Sequence, residues 1–169
     1  TSGQASALTT AQIAALNSTQ FDGLTSAAIG ALTSAQLRAL TSDTFASLST
    51  SQITAINTRA FAGLASAQIA ALSSEQIGSL TTALLALLSS AAVAGLTTED
   101  LGALESSDIA AISSRAIVGL STANIAALGS AQLAGLTTSQ MSALTTSQVR
   151  ALTSDQVASL SSSQFSALT

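Results

Sequence analysis

The 169-residue sequence contains no Cys, His, Pro, Trp, Tyr or Lys, and only 7% of its residues are charged. Ser and Thr together number 52, but a hydroxyl nucleophile needs a neighbouring base to activate it, and His, Cys, Lys and Tyr are all missing. The sequence therefore predicts no catalytic residue, no enzymatic activity and no cofactor. The absence of Cys is compatible with any compartment and suits a secreted protein.

Positive charge is also scarce, because the net charge is −4 and all four cations are Arg. Nucleic-acid binding requires a basic surface, so we expect no nucleic-acid partner. The mean hydropathy of +0.55 is opposite to the composition of a disordered chain and predicts a packed core. No apolar run approaches the roughly 18 residues of a membrane helix, and no signal peptide or initiator Met is present. We therefore expect a mature chain or a piece of a longer one, without a membrane-spanning segment.

The residues that are present form a repeat of eight. Starting at Thr1, the chain divides into 21 octads without insertion or deletion, with Thr169 left over and the consensus T-S-x-Q-I-x-A-L. Position 5 is always apolar, position 8 is Leu except at Ile56 and Ile112, and position 7 is small except at Leu87. Variation collects at positions 3, 4 and 6. We interpret residues 1–169 as a single repeat array.

The spacing of the apolar positions favours helix over strand. Positions 5 and 8 are three residues apart, which places them on one face of a helical turn, whereas on a strand they would point to opposite faces. One continuous helix is excluded, because eight residues at about 100° each make the apolar stripe drift by about 80° per octad. The helix must therefore restart in every octad.

Each octad carries a signal for such a restart. Position 1 and position 4 form a capping box, as in Thr9 and Gln12, and the apolar residues beside them stand at hydrophobic-staple positions. Ala65 and Glu105 replace the capping residue in two octads. There we expect the hydroxyl at position 2 to take the cap, one residue later.

A helix of about six residues is too short to be stable alone, so successive octads must pack on one another with positions 5 and 8 inside. The small residue at position 7 would let the layers approach closely. We predict an all-α solenoid, a superhelix of very short helices with one helix per octad. The alternative is a β-solenoid, which the Ser, Thr, Ile and Val content favours and which the many Ala and the capping box oppose.

A second period of seven octads brings rarer residues into register, namely Ile56 with Ile112, Arg59 with Arg115, and Asp43 with Glu99 and Asp155. This period divides the array into three possible super-repeats, 1–56, 57–112 and 113–168. We favour duplication of a seven-octad block as the cause. The alternative is that seven octads make a whole number of superhelical turns, which would align equivalent residues along the axis.

The densest acidic stretch, TTEDLGALESSD, holds the candidate metal ligands Glu99, Asp100, Glu105 and Asp108. Carboxylates bind hard cations such as Ca²⁺, but the spacing matches neither an EF-hand nor the calcium-binding nonapeptide. Acids in the first turn of a helix are also favoured by the helix dipole. We expect these four residues to be structural and predict no metal site.

The hexapeptide RALTSD occurs twice and pairs Arg38 with Asp43 and Arg150 with Asp155. Each pair is expected to form either an ion pair across a corner, which contributes little when it is exposed, or a lateral contact between neighbouring solenoids.

The octad L-T-T-x-Q-I-x-A-L resembles repeat tracts of very long secreted bacterial proteins that are described as surface, adhesin-like or haem-utilisation proteins. The resemblance covers the entire chain and implies an extracellular or cell-surface location, and it carries over no catalytic or binding residue. Haem binding gains no support from the residues themselves, because His, Tyr and Cys are absent and Met141 occupies a core position.

Three non-enzymatic functions remain open. The first is a structural stalk or filament that associates head to tail, because a solenoid lengthens by adding repeats and the first and last octads are not polar caps. The second is a binding module that presents a regular Ser/Thr array to ice or to a surface polysaccharide. The third is a peptide-binding helical scaffold, for which positions 3 and 6 offer mainly Ala, Ser and Gly. Self-association is the expected interaction, with a surface glycan as a possible partner.

Overall fold

In the computed structural model, which describes residues 2–168, every octad forms one short α-helix. The helices are α1 Ser2–Ala7, α2 Thr10–Ala14, α3 Ser18–Asp22, α4 Ser26–Gly30, α5 Ser34–Arg38, α6 Ser42–Ala46, α7 Thr50–Thr54, α8 Thr58–Phe61, α9 Ser66–Ala70, α10 Ser74–Gly78, α11 Thr82–Leu85, α12 Ser90–Val93, α13 Thr98–Gly102, α14 Ser106–Ala111, α15 Ser114–Ile117, α16 Thr122–Ala127, α17 Ser130–Gly135, α18 Thr138–Ala143, α19 Thr146–Arg150, α20 Ser154–Ser159 and α21 Ser162–Ser166. The described residues contain no strand. The all-α prediction is therefore confirmed, and the β-solenoid alternative is wrong.

A hydrogen-bonding N-cap side chain starts most of these helices, and in ten of them it belongs to a complete capping box. In α2 the Gln12 N–H donates to the Thr9 hydroxyl at 3.2 Å, and the Thr9 N–H donates to Gln12 Oε1 at 2.9 Å. The two bonds satisfy N–H groups that the first turn of a helix leaves unpaired. In seven further octads the side-chain cap alone is present, so an N-cap signal restarts the helix after only a few residues in most octads.

The two exceptional octads behave differently from the sequence expectation. Ala65 and Glu105 remain the N-cap residues without a side-chain cap, and α9 and α14 begin at the next residue. The expected one-residue shift is therefore wrong. One of the two capping-box bonds is enough to keep the start of each helix at the usual position of the octad. The Ala65 N–H still donates to Gln68 Oε1 at 3.1 Å, and the Glu105 N–H still donates to Asp108 Oδ2 at 3.0 Å.

The corners between helices need no left-handed residue, since none of the described residues has a positive φ. Glycine serves a different purpose here, which is close approach between turns. A Cβ at Gly135, at position 7, would lie 2.6 Å from the Ser106 carbonyl oxygen, and one at Gly30, at position 6, would lie 2.8 Å from the Ala55 carbonyl oxygen. The expected role of the small residue at position 7 is confirmed at Gly135, and Gly30 shows that position 6 can make the same close approach.

The helices wind into a superhelix in which each one packs against the helix three octads further along, from α1 on α4 to α18 on α21. Side-chain hydrogen bonds between turns repeatedly join positions 28 apart in the sequence. Contacts between turns join residues 25 to 31 apart, so one turn takes about three and a half octads and two turns take about seven octads. The division into three super-repeats of seven octads stays a prediction about how the chain is organised.

The core is a single apolar column made by positions 5 and 8. Ile13, Phe21 and Phe45 at position 5 are fully buried, and Met141 is 1% exposed. Burial of these side chains is the main stabilising term for such short helices. None of the helices within residues 2–168 is long and apolar enough to cross a membrane.

Candidate functional site

The side chain at position 4 links neighbouring turns as well as capping its own helix. Gln140 accepts the Thr137 N–H with Oε1 at 2.8 Å, and its Nε2 donates to the Ile112 carbonyl at 2.6 Å and the Ile109 carbonyl at 2.7 Å. Gln140 is only 1% exposed. One amide thus completes a capping box and joins two turns of the solenoid, so both of its polar ends are satisfied in the interior.

This arrangement recurs along the array and forms what we term the amide ladder, in which a position-4 amide donates to the position-8 carbonyl one turn earlier. Its members are Gln36, Gln52, Gln68, Gln76, Asn124, Gln132, Gln140, Gln148, Gln156 and Gln164. In the octad where position 4 is Ala60, Asn57 Nδ2 donates instead to the Gly30 and Leu32 carbonyls, at 2.9 and 3.1 Å. Each bond of the ladder therefore runs roughly along the superhelix axis, and successive bonds follow the contact between turns around the solenoid.

The ladder was not predicted, because the sequence analysis gave position 4 only the role of completing the capping box and counted it among the variable positions. The signal was nevertheless present. Position 4 holds Gln twelve times and never Glu, although either residue can complete a capping box. A preference for the amide over the acid indicates that the NH₂ group has an acceptor of its own, and this acceptor is the carbonyl of the preceding turn.

The ladder is interrupted over five consecutive octads, α11 to α15, where position 4 holds Leu84, Ala92, Asp100, Asp108 and Ala116. Five octads exceed one turn, so a complete turn lacks ladder bonds to the turn before it. Across this interruption Ser74 Oγ donates to Asp100 Oδ1 at 2.8 Å.

The candidate metal ligands lie within this interruption, and two of them, Asp100 and Asp108, use their side chains in structural hydrogen bonds. Asp100 is buried, and its Oδ2 accepts the Thr97 N–H at 2.8 Å while its Oδ1 accepts the Ser74 hydroxyl. Asp108 completes the half-box of Glu105, and Glu99 is exposed. Residues 2–168 contain no group of three or more acidic side chains placed to hold a metal ion.

The candidate lateral residues Arg38, Asp43, Arg150 and Asp155 are all exposed. Among residues 2–168 none of the four forms an ion pair within the chain. The pairing across a corner is therefore not made, and the lateral-contact hypothesis stays a prediction.

Hydroxyl groups at position 1 are largely occupied within the chain. The Thr33 hydroxyl accepts the Gln36 N–H at 3.3 Å and donates to Gln36 Oε1 at 2.9 Å, and most octads repeat at least the first of these bonds. A regular hydroxyl array facing ice or a glycan would thus depend on position 2. The glycan partner stays a prediction.

The two ends of the described solenoid carry complementary halves of the ladder. In the first turn, Gln12 and Gln20 are exposed and their Nε2 groups have no acceptor within residues 2–168. In the last turn, the carbonyl oxygens of Leu144, Leu152 and Leu160 have no donor among the same residues. Donors therefore face one way along the axis and acceptors face the other.

Apolar side chains are also uncovered at the last turn. Phe165 is 58% exposed and Val157 is 39% exposed, although both stand at position 5, where Phe45 in the interior is fully buried. Both side chains lie in the last described turn, which no further turn among residues 2–168 covers, whereas each inner layer is covered by the turn that follows it.

Comparison with known proteins agrees with this repeat architecture. The ALTTAQ repeat profile matches residues 1–34, 45–82, 101–138 and 137–169, which together make up most of the chain. The chain belongs to the ALTTAQ repeat family. The longest stretch that the profile leaves unmatched, 83–100, contains Leu84, Ala92 and Asp100, three of the five residues that interrupt the amide ladder. No curated protein and no solved structure matches the chain.

Proposed function

We propose that this ALTTAQ repeat chain is a non-enzymatic structural protein that stacks head to tail into a stalk or filament outside a bacterial cell. Its repeats build one continuous apolar column, and the sequence has no His, Cys, Lys or Tyr that could activate a Ser or Thr hydroxyl. A solenoid is quasi-one-dimensional, and a contact between unlike ends that does not close into a ring produces an open filament.

The open amide ladder is the observation that carries the proposal. The 21 octads make six complete turns, so Gln12 of a following copy stands one turn beyond Leu152 of the copy before it. By the same spacing Gln20 of the following copy meets Leu160. Each exposed amide of the first turn thereby gains the acceptor that interior ladder members already have. The same two surfaces would accept further octads of a longer chain.

Burial of apolar surface supports the same contact. Stacking covers Val157 and Phe165, which are 39% and 58% exposed, and burial of such side chains is the dominant favourable term in association. A net charge of −4 spread over 169 residues gives little electrostatic resistance to this association. The location outside the cell is supported by the resemblance to secreted surface proteins and by the absence of Cys.

Sedimentation velocity and negative-stain electron microscopy of the purified chain test the proposal. We expect the sedimentation coefficient to rise with concentration and rods to lengthen in steps of one chain. A stable monomer at high concentration would refute head-to-tail stacking, and it would leave a monomeric rod that serves as a stalk segment.

The double variant Gln12→Glu with Gln20→Glu isolates the ladder contribution. Glutamate keeps the oxygen that completes the capping box, but it replaces the donating amide with an anionic acceptor that faces carbonyl oxygens. We expect this variant to stay short. The matched control is Ala11→Glu with Thr19→Glu, which adds the same charge one residue away at exposed position 3 and should still form long rods. Equal lengths for the two variants would contradict the ladder contact.

A further inference from the structure

The charged side chains are sorted around the superhelix axis. Contacts between turns centre on a separation of about 28 residues, so positions 28 apart in the sequence hold nearly the same angular place around the axis. We number these places from 1 to 28 by subtracting multiples of 28 from each residue number, so that Arg59, for example, stands at place 3. The four Arg then fall at places 3 to 10, and the eight acids fall at places 15 to 24. Opposite charges thus occupy opposite sides of the solenoid.

The basic side consists of two short rows. Arg59 and Arg115 share place 3 and are two turns apart, whereas Arg38 and Arg150 share place 10 and are four turns apart. The two rows are separated by 7 of the 28 places, a quarter of a turn. All four side chains are exposed, and none of them forms an ion pair within the described residues, so their charge is available to a partner.

The acidic side has a more regular row. Asp43, Glu99 and Asp155 share place 15 and follow one another at intervals of two turns. All three are exposed. The spacing between neighbouring members of this row equals the spacing between Arg59 and Arg115, so both rows have the same axial interval.

We propose that the basic side of one solenoid docks laterally against the acidic side of a second copy of this chain. A second copy is the partner that shares the superhelical pitch. When two copies lie parallel, Arg59 and Arg115 can face two members of the acidic row at once. This lateral contact deepens the proposed structural function, on which it rests, since it would gather stacked rods into bundles.

Head-to-tail stacking would keep these rows continuous. The 21 octads are six complete turns, so a following copy has the same angular orientation as the one before it. Asp155 is then followed, after another two turns, by Asp43 of the next copy. A single exposed ion pair contributes little, but contacts repeated along a rod act together through effective concentration.

A matched pair of variants tests whether bundling depends on the position of the Arg side chains or only on the net charge of the chain. Arg59→Gln with Arg115→Gln removes two positive charges from the basic side. Thr19→Glu with Ala131→Glu adds two negative charges at exposed positions in the row of Glu75, since each lies two turns from Glu75. Both variants change the net charge from −4 to −6. The width of the particles is measured by negative-stain microscopy and solution scattering at low and high salt.

We expect the unmodified chain to form paired or bundled rods at low ionic strength and single rods at high salt, because salt screens exposed charges. Arg59→Gln with Arg115→Gln should remain single at low salt, while Thr19→Glu with Ala131→Glu should bundle at least as well as the unmodified chain. Single rods for the unmodified chain at low salt, or equal loss of bundling in both variants, would overturn the lateral contact.

A charge exchange gives the decisive control. Arg59→Glu with Arg115→Glu, and separately Asp43→Arg with Glu99→Arg and Asp155→Arg, should each abolish bundling, and a mixture of the two proteins should restore it. Failure of the mixture, with both proteins folded by circular dichroism, would contradict the proposal. The width of the particles reports the lateral contact, and their length reports head-to-tail stacking. Side-by-side dimers remain measurable in the Gln12→Glu, Gln20→Glu variant. The two proposals can therefore fail separately.

Discussion

Replacement of Gln140 by Glu tests the amide ladder inside the array. Glu keeps the oxygen that accepts the Thr137 N–H, so the capping box survives, but the two donations to the Ile109 and Ile112 carbonyls, at 2.7 and 2.6 Å, are lost. The side chain of Gln140 is 1% exposed, and the charge of its replacement would face carbonyl oxygens. An uncompensated buried charge typically costs about 3–5 kcal/mol, and we expect a loss of unfolding free energy of that size.

The measurement is chemical denaturation followed by far-ultraviolet circular dichroism, with Gln12→Glu as the matched control. Gln12 makes the same capping box, but it is exposed and has no ladder acceptor among the described residues, so its replacement should cost under about 0.5 kcal/mol, as surface changes do. The penalty in the Gln140→Glu variant should shrink at acidic pH, because a protonated carboxyl can again donate a hydrogen bond. Equal penalties at the two sites, or no effect of pH on the difference, would refute the ladder as a source of stability.

Further substitutions test the core, the close contacts and the gap in the ladder, all by the same denaturation assay. Leu72→Ala, at a residue only 5% exposed, should lower the free energy of unfolding by about 2–5 kcal/mol, as buried Leu truncations do. Ser142→Ala, at an exposed residue, should lower it by under about 0.5 kcal/mol. Equal losses would mean that the inner and outer faces are misassigned. Gly135→Ala should cost about 1–3 kcal/mol, because its Cβ would meet the Ser106 carbonyl oxygen at 2.6 Å, whereas Gly102→Ala, with nothing within 4 Å, should be neutral or stabilising by up to about 1 kcal/mol. Asp108→Gln keeps the half-box to Glu105 and adds an amide one turn after Leu80, so it should stabilise the chain by about 1 kcal/mol; no gain would show that the gap cannot be bridged by an amide.

The local structure could be predicted from the sequence, because each octad contains the signals that set the start of its helix and its buried face. The i,i+3 apolar pair and the capping box, as in Thr9 and Gln12, define where each helix begins and which face it buries. The pitch of the superhelix could not be predicted in this way. It depends on how the Gln140 amide reaches Ile112 and how closely Gly135 approaches Ser106, and these contacts join residues that no local pattern relates.

The candidate charged residues show the same limit. RALTSD suggested local pairing of Arg38 with Asp43, yet the relation that the structure reveals is between residues two and four turns apart, such as Arg59 with Arg115 and Arg38 with Arg150. Proximity in sequence was the wrong guide, because in a solenoid the neighbours of a side chain are set by the number of residues per turn.

The three and a half octads of each turn give the seven-octad period a structural consequence. One additional octad would shift everything beyond it by 8 of 28 places, about two sevenths of a turn, and would leave the local helices and the core unchanged, because stability in a solenoid is largely a sum over neighbouring repeats. The same addition would move Glu99 and Asp155 out of line with Asp43. Seven octads are the smallest addition that returns every row to its place. Duplication of a seven-octad block and alignment along the axis are therefore compatible explanations, since an array that grows by seven octads preserves both its core and the sorting of its charges.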